Sequence, residues 1–313
     1  MPTISEALAE AAQREPDLAP YYEFHRTLLE LQEKAQEEIA ATLELADQQT
    51  LQARLLQGLP QISFVQLPIE TERFADLAMA IAQALKDYYA PESTFPPATA
   101  GGTGGRLPAQ AAEWVSLAQK QFEENQVCPE HSRGTGPETV SVSPYPLVPA
   151  SSSPPVSVSP CPSVRYRVPP CPTLAEMAAD MALKPYLVWA AEQMLPHLDQ
   201  EQWRRGYCPV CGGTPDFAFL SGESGARYLL CARCNSQWLY RRMGCPFCGN
   251  NDYTGIVYYP SDDGVYRLYL CKACHRYLKT IDLRKTNRQK LLVEVERITT
   301  VAMDMAAQQE GYH

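Results

Sequence analysis

The sequence lacks long apolar segments, and no run of twenty consecutive apolar residues occurs in its 313 residues. A membrane-spanning helix needs about twenty such residues, so we expect no membrane insertion. The N-terminal segment MPTISEALAEAAQREPD also lacks the basic and apolar regions of a secretory signal peptide. We therefore expect a cytoplasmic protein, in which thiols stay reduced and clustered cysteines bind metal ions more often than they form disulfides.

A surplus of positive charge is also missing, because the formal net charge is −9. Nucleic-acid-binding proteins normally carry a basic surplus, so the composition disfavours that class. The sequence contains no glycine-rich phosphate loop, no Ser–His–Asp arrangement, no paired carboxylates in a local signature, and only five scattered histidines. We therefore expect a protein that is not an enzyme.

Amphipathic helices are predicted wherever apolar residues recur every three or four positions. The pattern covers residues 17–46, the stretch between Pro68 and Pro91, and residues 109–126. It resumes at Thr173, which we predict to cap a helix, and Pro185 should interrupt that helix. A last helix is predicted at 288–309, with an inner face formed by Leu292, Val295, Thr299, Ala302, Met303 and Ala306.

Proline is concentrated in one segment, since twelve of the 27 prolines lie between Pro129 and Pro172. Such a segment buries too little apolar surface to offset its ordering entropy, which predicts disorder. The expected organisation is a helical domain (1–127), a Pro/Ser-rich disordered insertion or linker (128–172), a helical continuation (173–203), a cysteine-rich region (204–282) and a C-terminal helix (283–313).

Eight of the eleven cysteines fall within residues 208–274 as four Cys-x-x-Cys pairs. Nineteen residues separate the first pair from the second, and 22 separate the third from the fourth. At this spacing two pairs converge on one tetrahedral metal ion, which predicts two sites. The first site comprises Cys208, Cys211, Cys231 and Cys234, and the second comprises Cys245, Cys248, Cys271 and Cys274. The other three cysteines (Cys128, Cys161 and Cys171) are scattered along the proline-rich stretch.

The two cysteine units form an internal repeat, in which Cys-Pro-x-Cys-Gly is followed by a hairpin and a second pair. Gly212 and Gly249 supply the positive φ that each knuckle turn requires, and Asn235 and His275 hold the equivalent places after the second pairs. Hairpins are predicted from 217–220 with 227–230, and from 253–259 with 265–270. The predicted fold class is α+β: a mainly helical N-terminal domain, two tandem rubredoxin-like or zinc-ribbon β units, and a closing C-terminal helix.

The residues alone do not decide which metal the two sites bind, or whether that metal has a structural or a redox role. Cys-Pro-x-Cys-Gly knuckles serve both structural zinc and rubredoxin-like iron, and spacing does not separate the two. Four thiolates complete the tetrahedron, which disfavours metal-assisted hydrolysis and makes His275 a surface residue rather than a ligand. A thioredoxin-like redox pair is disfavoured because its βαβ context is absent.

Two other functions remain as alternatives. A zinc-ribbon adaptor for nucleic acids would need a basic surface, but the ten Lys and Arg of residues 201–282 mostly balance seven acids and the thiolates. A rubredoxin-like electron carrier would not need a helical domain as large as the one predicted for this chain. Trp203, Trp238 and the tyrosines of 253–277 could form a partner-binding patch, although aromatic residues in hairpins more often pack in the core.

The sequence resembles the formate dehydrogenase accessory protein FdhE family. The resemblance lies in the two Cys-Pro-x-Cys-Gly units, with Arg205-Gly206-Tyr207 before the first and the segment 277–282, Tyr-Leu-Lys-Thr-Ile-Asp, after the last. It extends upstream to residues 182–186 and downstream to residues 302–307 and Gly311-Tyr312, and it covers about 60% of the chain.

The resemblance implies a cytoplasmic assembly factor that binds the catalytic subunit of a respiratory-type formate dehydrogenase. It also implies two metal ions held by the eight cysteines that match the family motif. Rubredoxin-like iron (Fe3+) is favoured by the resemblance, with zinc as the other possibility.

Overall fold

The structure, a computed structural model, describes residues 3–89, 107–126, 172–286 and 291–313. The helices in these ranges are α1 (Ile4–Arg14), α2 (Ala19–Glu37), α3 (Gln48–Gln57), α4 (Thr71–Tyr89), α5 (Ala111–Glu124), α6 (Leu174–Met194), α7 (Val293–Thr299) and α8 (Val301–Gln309). The strands are β1 (Pro215–Leu220), β2 (Arg227–Cys231), β3 (Gln237–Tyr240), β4 (Ile256–Pro260), β5 (Tyr266–Cys271) and β6 (Tyr277–Asp282). This is the predicted α+β fold, with helices first, then cysteine-rich strands, then closing helices. Among the described helices, none has both the length and the apolar character needed to span a bilayer.

The N-terminal helices confirm part of the sequence prediction. Helices α4 and α5 lie where the apolar spacing placed them, whereas α1 and α3 were missed and the predicted helix 17–46 is too long. Helix α2 ends at Glu37, yet Leu43 packs in the main apolar cluster, and its backbone N–H donates to the Gln193 side chain at 2.9 Å. An apolar residue can thus keep the helical spacing while a tertiary contact holds its backbone outside a helix.

The predicted interruption at Pro185 is wrong, since α6 continues through it from Leu174 to Met194. Proline has no N–H, so it leaves the carbonyl of the residue four positions earlier, Met181, without its helical partner. The buried Gln32 side chain of α2 donates to that carbonyl at 2.8 Å. The N-cap prediction is confirmed, because Thr173 and Glu176 form a reciprocal capping box at the start of the helix.

The strands form one six-stranded sheet in the order β3-β2-β1-β6-β5-β4. The predicted hairpins are β1–β2 and β4–β5, and each cysteine unit adds a third antiparallel strand, β3 or β6, that was not predicted. Strands β1 and β6 pair in parallel, with Phe217 opposite Lys279 and Leu220 opposite Asp282. The two units are therefore halves of one continuous sheet.

The C-terminal segment forms two short helices, α7 and α8, instead of one helix over 288–309. The predicted inner face is only partly correct: Met303 packs against an apolar cluster, but Ala302 and Ala306 are exposed, and the buried residues include Glu294, Glu296, Arg297 and Ile298. Hydrophobic spacing failed here because the segment packs a charged face against the sheet, where buried acids and bases neutralise one another.

A single large apolar cluster joins helices α2 and α4–α6 to both cysteine units. Its members include Trp114, Leu183 and Trp203, all four cysteines of the first quartet, and Cys245, Cys271 and Cys274 of the second. The metal candidate therefore lies at the junction of the helical part and the sheet. The division into domains at 127, 172, 203 and 282 stays a prediction, and the proline-rich segment lies almost entirely outside the described residues.

His25 makes folding sensitive to acid. Its ring is buried in α2 against Tyr21, with ring centroids 4.4 Å apart, and burial lowers the pKa of His25 from 6.5 to about 3. Because the unfolded chain binds this proton more readily, the stabilisation is complete above pH 6.5 and is lost as the pH falls towards 3.

The change at this one group should destabilise the fold by about 2 kcal/mol between pH 7.5 and pH 5. Replacing His25 by phenylalanine should remove that share of the pH dependence, which urea unfolding of both proteins at the two pH values would measure. Equal pH dependence in the two proteins would contradict this account of His25.

Candidate metal centre

The structure gathers the eight sulfurs into the two predicted quartets, and in each quartet all four sulfurs lie within 4.8 Å of one another. In the first quartet the Cys208 and Cys234 sulfurs lie 3.5 Å apart and the Cys211 and Cys231 sulfurs 3.4 Å apart. In the second quartet the Cys245 and Cys274 sulfurs lie 3.6 Å apart and the Cys248 and Cys271 sulfurs 3.7 Å apart.

These distances fit a tetrahedral thiolate site. Metal–sulfur bonds of about 2.3 Å in a tetrahedron place neighbouring sulfurs about 3.8 Å apart. A disulfide would instead bring two sulfurs to about 2.05 Å, and all eight cysteines are free. The donor set therefore suits two ions that accept four soft thiolate ligands, such as iron or zinc.

The knuckle turns have the backbone conformation that the sequence predicts. Gly212 and Gly249 have φ of 77° and 71°, and Asn235 and His275 have φ of 57° and 55°. In each turn the N–H of this residue donates to the carbonyl of the first cysteine of its pair, for example His275 to Cys271 at 2.9 Å. The exposed side chain of His275 points to a role in the turn rather than among the ligands, as expected.

The pKa shifts of the cysteine thiols also favour a bound cation in each quartet. Burial raises the pKa of the Cys208 thiol, whereas the hydrogen bond with Cys245 is the main cause that lowers the pKa of Cys248. Four thiols this close cannot all release their protons unless positive charge balances the thiolates. A divalent or trivalent ion supplies that charge and is a stronger source of it than any nearby side chain.

Several arginines around the quartets make contacts within the protein through their side chains. Arg227 and Arg233 are buried, and Arg233 lies over the Phe122 ring and 3.5 Å from Asp180. Arg267 and Arg284 both pair with the buried Asp282, at 2.6 and 2.7 Å. These four side chains are held by contacts within the protein and are not available to form a surface for phosphates.

Arg297 is the residue near the first quartet that sequence reasoning missed. This buried side chain of α7 donates to the Cys231 carbonyl at 2.7 Å and also bonds Asp216, at 2.8 Å, and Asn235. It thereby ties the closing helix to a knuckle of the quartet. An arginine on a predicted helix gives no signal of such a role, because surface arginines share the same pattern.

The aromatic candidates divide between core and surface. Trp203 and Trp238 are fully buried and donate their indole N–H groups to the Tyr207 and Arg205 carbonyls, both at 2.8 Å. Tyr253, Tyr258 and Tyr259 are exposed around strand β4 at one edge of the sheet. The two tryptophans therefore belong to the core, whereas Tyr253, Tyr258 and Tyr259 are available for contact with a partner. The remaining cysteines, Cys128, Cys161 and Cys171, lie outside the described residues.

Comparison with known proteins agrees with this geometry. The family model described as the FdhE central domain matches residues 207–242, which hold the whole first quartet. A "Protein FdhE homolog" of Aquifex aeolicus is 36% identical over 134 residues, or 42% of this chain and 46% of that protein. The chain is therefore similar to FdhE proteins over part of its length. A second FdhE homolog, from Haemophilus ducreyi, is 32% identical over 137 residues, or 42% of this chain and 43% of that protein.

The likeness to FdhE extends to the whole fold. The crystal structure of the FdhE protein from Pseudomonas aeruginosa superposes with a TM-score of 0.51, covering 99% of this chain and 91% of that chain at 18% sequence identity. This match concerns the fold alone. In sequence, the chain spans less than half the length of the two FdhE homologs described above.

Proposed function

We propose that this chain is a cytoplasmic accessory factor for formate dehydrogenase and that it holds two metal ions in its two cysteine quartets. The observation that carries the proposal is the pair of quartets built into one continuous sheet within an FdhE-family fold. Each quartet supplies four thiolates and so leaves no open position for substrate water, which favours a binding and assembly role over catalysis.

The proposed ligands are all eight cysteines, and the proposed ions are iron (Fe3+), with zinc as the alternative. A bound ion would contribute a cross-link between two knuckles and the charge that four thiolates require. Metal analysis and a visible spectrum of anaerobically purified protein test this directly. Ferric thiolate sites are coloured and zinc sites are not, whereas protein without either metal would contradict the proposed sites.

The proposed partner is the catalytic subunit of formate dehydrogenase. The exposed tyrosines at the β4 edge provide a surface that such a subunit could cover, and the helical part provides a rigid body that carries the sheet. If the two proteins bind each other, they should co-purify from a strain that makes both.

Deletion of the gene should abolish formate oxidation, because an assembly factor is needed before the enzyme becomes active. The catalytic subunit should still be made, which immunodetection in the same extracts would show. Restoring the wild-type gene on a plasmid controls for effects on neighbouring genes. Normal formate oxidation in the deletion strain would rule out the proposed role.

A further inference from the structure

The two quartets differ in how completely protein covers them. The four cysteines of the first quartet are between 0 and 2% exposed. In the second quartet Cys245, Cys271 and Cys274 are 4–7% exposed, and Cys248 is partly exposed. The repeat is similar in sequence, so the difference arises from what packs around each unit.

The helical part covers the first quartet. The backbone N–H groups of Gln61 and Ile62 donate to the Val210 carbonyl, both at 3.0 Å, and the Gln126 side chain donates to the Cys211 carbonyl at 3.2 Å. From the other side, Arg297 donates to the Cys231 carbonyl at 2.7 Å. Both knuckles of this quartet are therefore held by residues far from them in sequence.

The second quartet is held mainly by its own unit. Its knuckle bonds run from Cys245 to Asn250, from Gly249 to Cys245 and from Cys271 to Arg276, at 2.8–3.0 Å. Among contacts from elsewhere are the Tyr240 hydroxyl, 3.2 Å from the Cys245 carbonyl, and the chain terminus, where the His313 N–H donates to the His275 carbonyl at 2.9 Å. Helices α1–α6 donate none of the described hydrogen bonds to these two knuckles.

Gly212 and Gly249 occupy equivalent positions in the two repeats, and the space around them differs. Both have positive φ and follow the second cysteine of a Cys-Pro-x-Cys pair. A Cβ atom on Gly212 would lie 2.8 Å from the Pro60 ring and 3.3 Å from Gln126. A Cβ atom on Gly249 would meet no atom of the described residues within 4 Å, so the turn beside Cys248 faces open space.

We propose that the two quartets have different roles: the first is a sealed structural cross-link between two knuckles, placed where the helical part packs on the sheet, and the second is an exchangeable metal site with access at Cys248. The inference rests on the metal sites of the proposed function and assigns a separate task to each. A chelator or incoming thiol must reach a sulfur or the ion to displace it, and only the second quartet offers such access without local unfolding.

Metal release from the purified full-length chain tests the inference. The chain is loaded with Zn2+ and mixed at neutral pH with the coloured chelator 4-(2-pyridylazo)resorcinol. We expect two equivalents of Zn2+ to leave in two phases of equal size, with rates at least about ten-fold apart because the slow phase requires local unfolding. Iodoacetamide, added during the fast phase, alkylates free thiolates with loss of iodide, and peptide mass analysis should find the label on cysteines of the second quartet.

A substitution that removes one of the contacts over the first quartet should change only the slow phase of Zn2+ release. Gln126→Ala deletes the donor to the Cys211 carbonyl and should speed the slow phase while leaving the fast phase unchanged. Gln119→Ala is the matched control, since this exposed glutamine lies on α5, the helix that ends just before Gln126, and bonds Glu123. Two equivalents leaving at one rate, or first labelling of Cys208 or Cys211, would overturn this inference alone. A chain that takes up no Zn2+ would overturn the proposed metal sites as well.

Discussion

Replacing Cys211 by serine is expected to halve the metal content of the purified chain, from two ions to one. Serine keeps the size of the side chain but removes the soft thiolate, and three thiolates hold iron or zinc far less tightly than four. Because metal binding contributes about 10–16 kcal/mol to the folding of small structural sites, the variant should lose at least about 4 kcal/mol of folding free energy. The loss should spread to the helices, since Cys211 is part of the core cluster they share.

Metal analysis and denaturant unfolding would measure both effects of the Cys211 replacement. Cys161→Ser is the matched control, because Cys161 is a cysteine that belongs to neither Cys-x-x-Cys repeat. The control should keep two ions and the stability of the wild-type chain. Two ions bound to the Cys211 variant would show that this sulfur is not a ligand.

Replacing Arg297 by methionine is expected to destabilise the fold by about 3–5 kcal/mol, the usual cost of removing one partner from a buried ion pair. Arg297 lies between the Asp216 and Glu294 carboxylates, at 2.8 and 3.3 Å, and is 3% exposed. Burial already raises the pKa of Asp216, and the loss of Arg297 would remove the main positive charge that stabilises this buried carboxylate. Lys184 pairs directly with Glu294 at 2.8 Å, whereas Lys184 and Lys279 act on Asp216 only as nearby charges.

An exposed arginine provides the matched control for Arg297. Arg26→Met removes a surface group that pairs with Glu23 and Glu30 on α2, and such pairs contribute less than about 1 kcal/mol. Denaturant unfolding of both variants would give the comparison. In addition, Arg297→Met should loosen the Cys231 knuckle and so speed the release of the first ion. A variant as stable as the control would mean that the buried pair contributes no net stability.

The local chemistry of the metal site could be read from the sequence because it depends on neighbours along the chain. A Cys-x-x-Cys turn needs a residue of positive φ right after it, and Gly212, Asn235, Gly249 and His275 all have that conformation. The pairing of knuckles also followed from spacing, since each hairpin returns the chain to the point where it began. The capping box at Thr173 is equally local.

Features that depend on distant residues escaped prediction. Pro185 does not break α6 because Gln32, about 150 positions earlier in the chain, occupies the carbonyl that proline leaves open. The closing helices turn a charged face inward because Arg297 meets Asp216 of β1 there. Neither partner lies close enough in the sequence for apolar spacing to reveal the contact.

The sequence by itself determined that eight cysteines form two quartets and that their knuckles take the required turns, because both follow from short-range backbone geometry. Tertiary structure alone decided that the two units merge into one sheet through the parallel β1–β6 pair and that the first quartet is more deeply buried than the second. Similar repeats acquire different surroundings because burial is a property of what packs against a segment, and that information lies elsewhere in the chain.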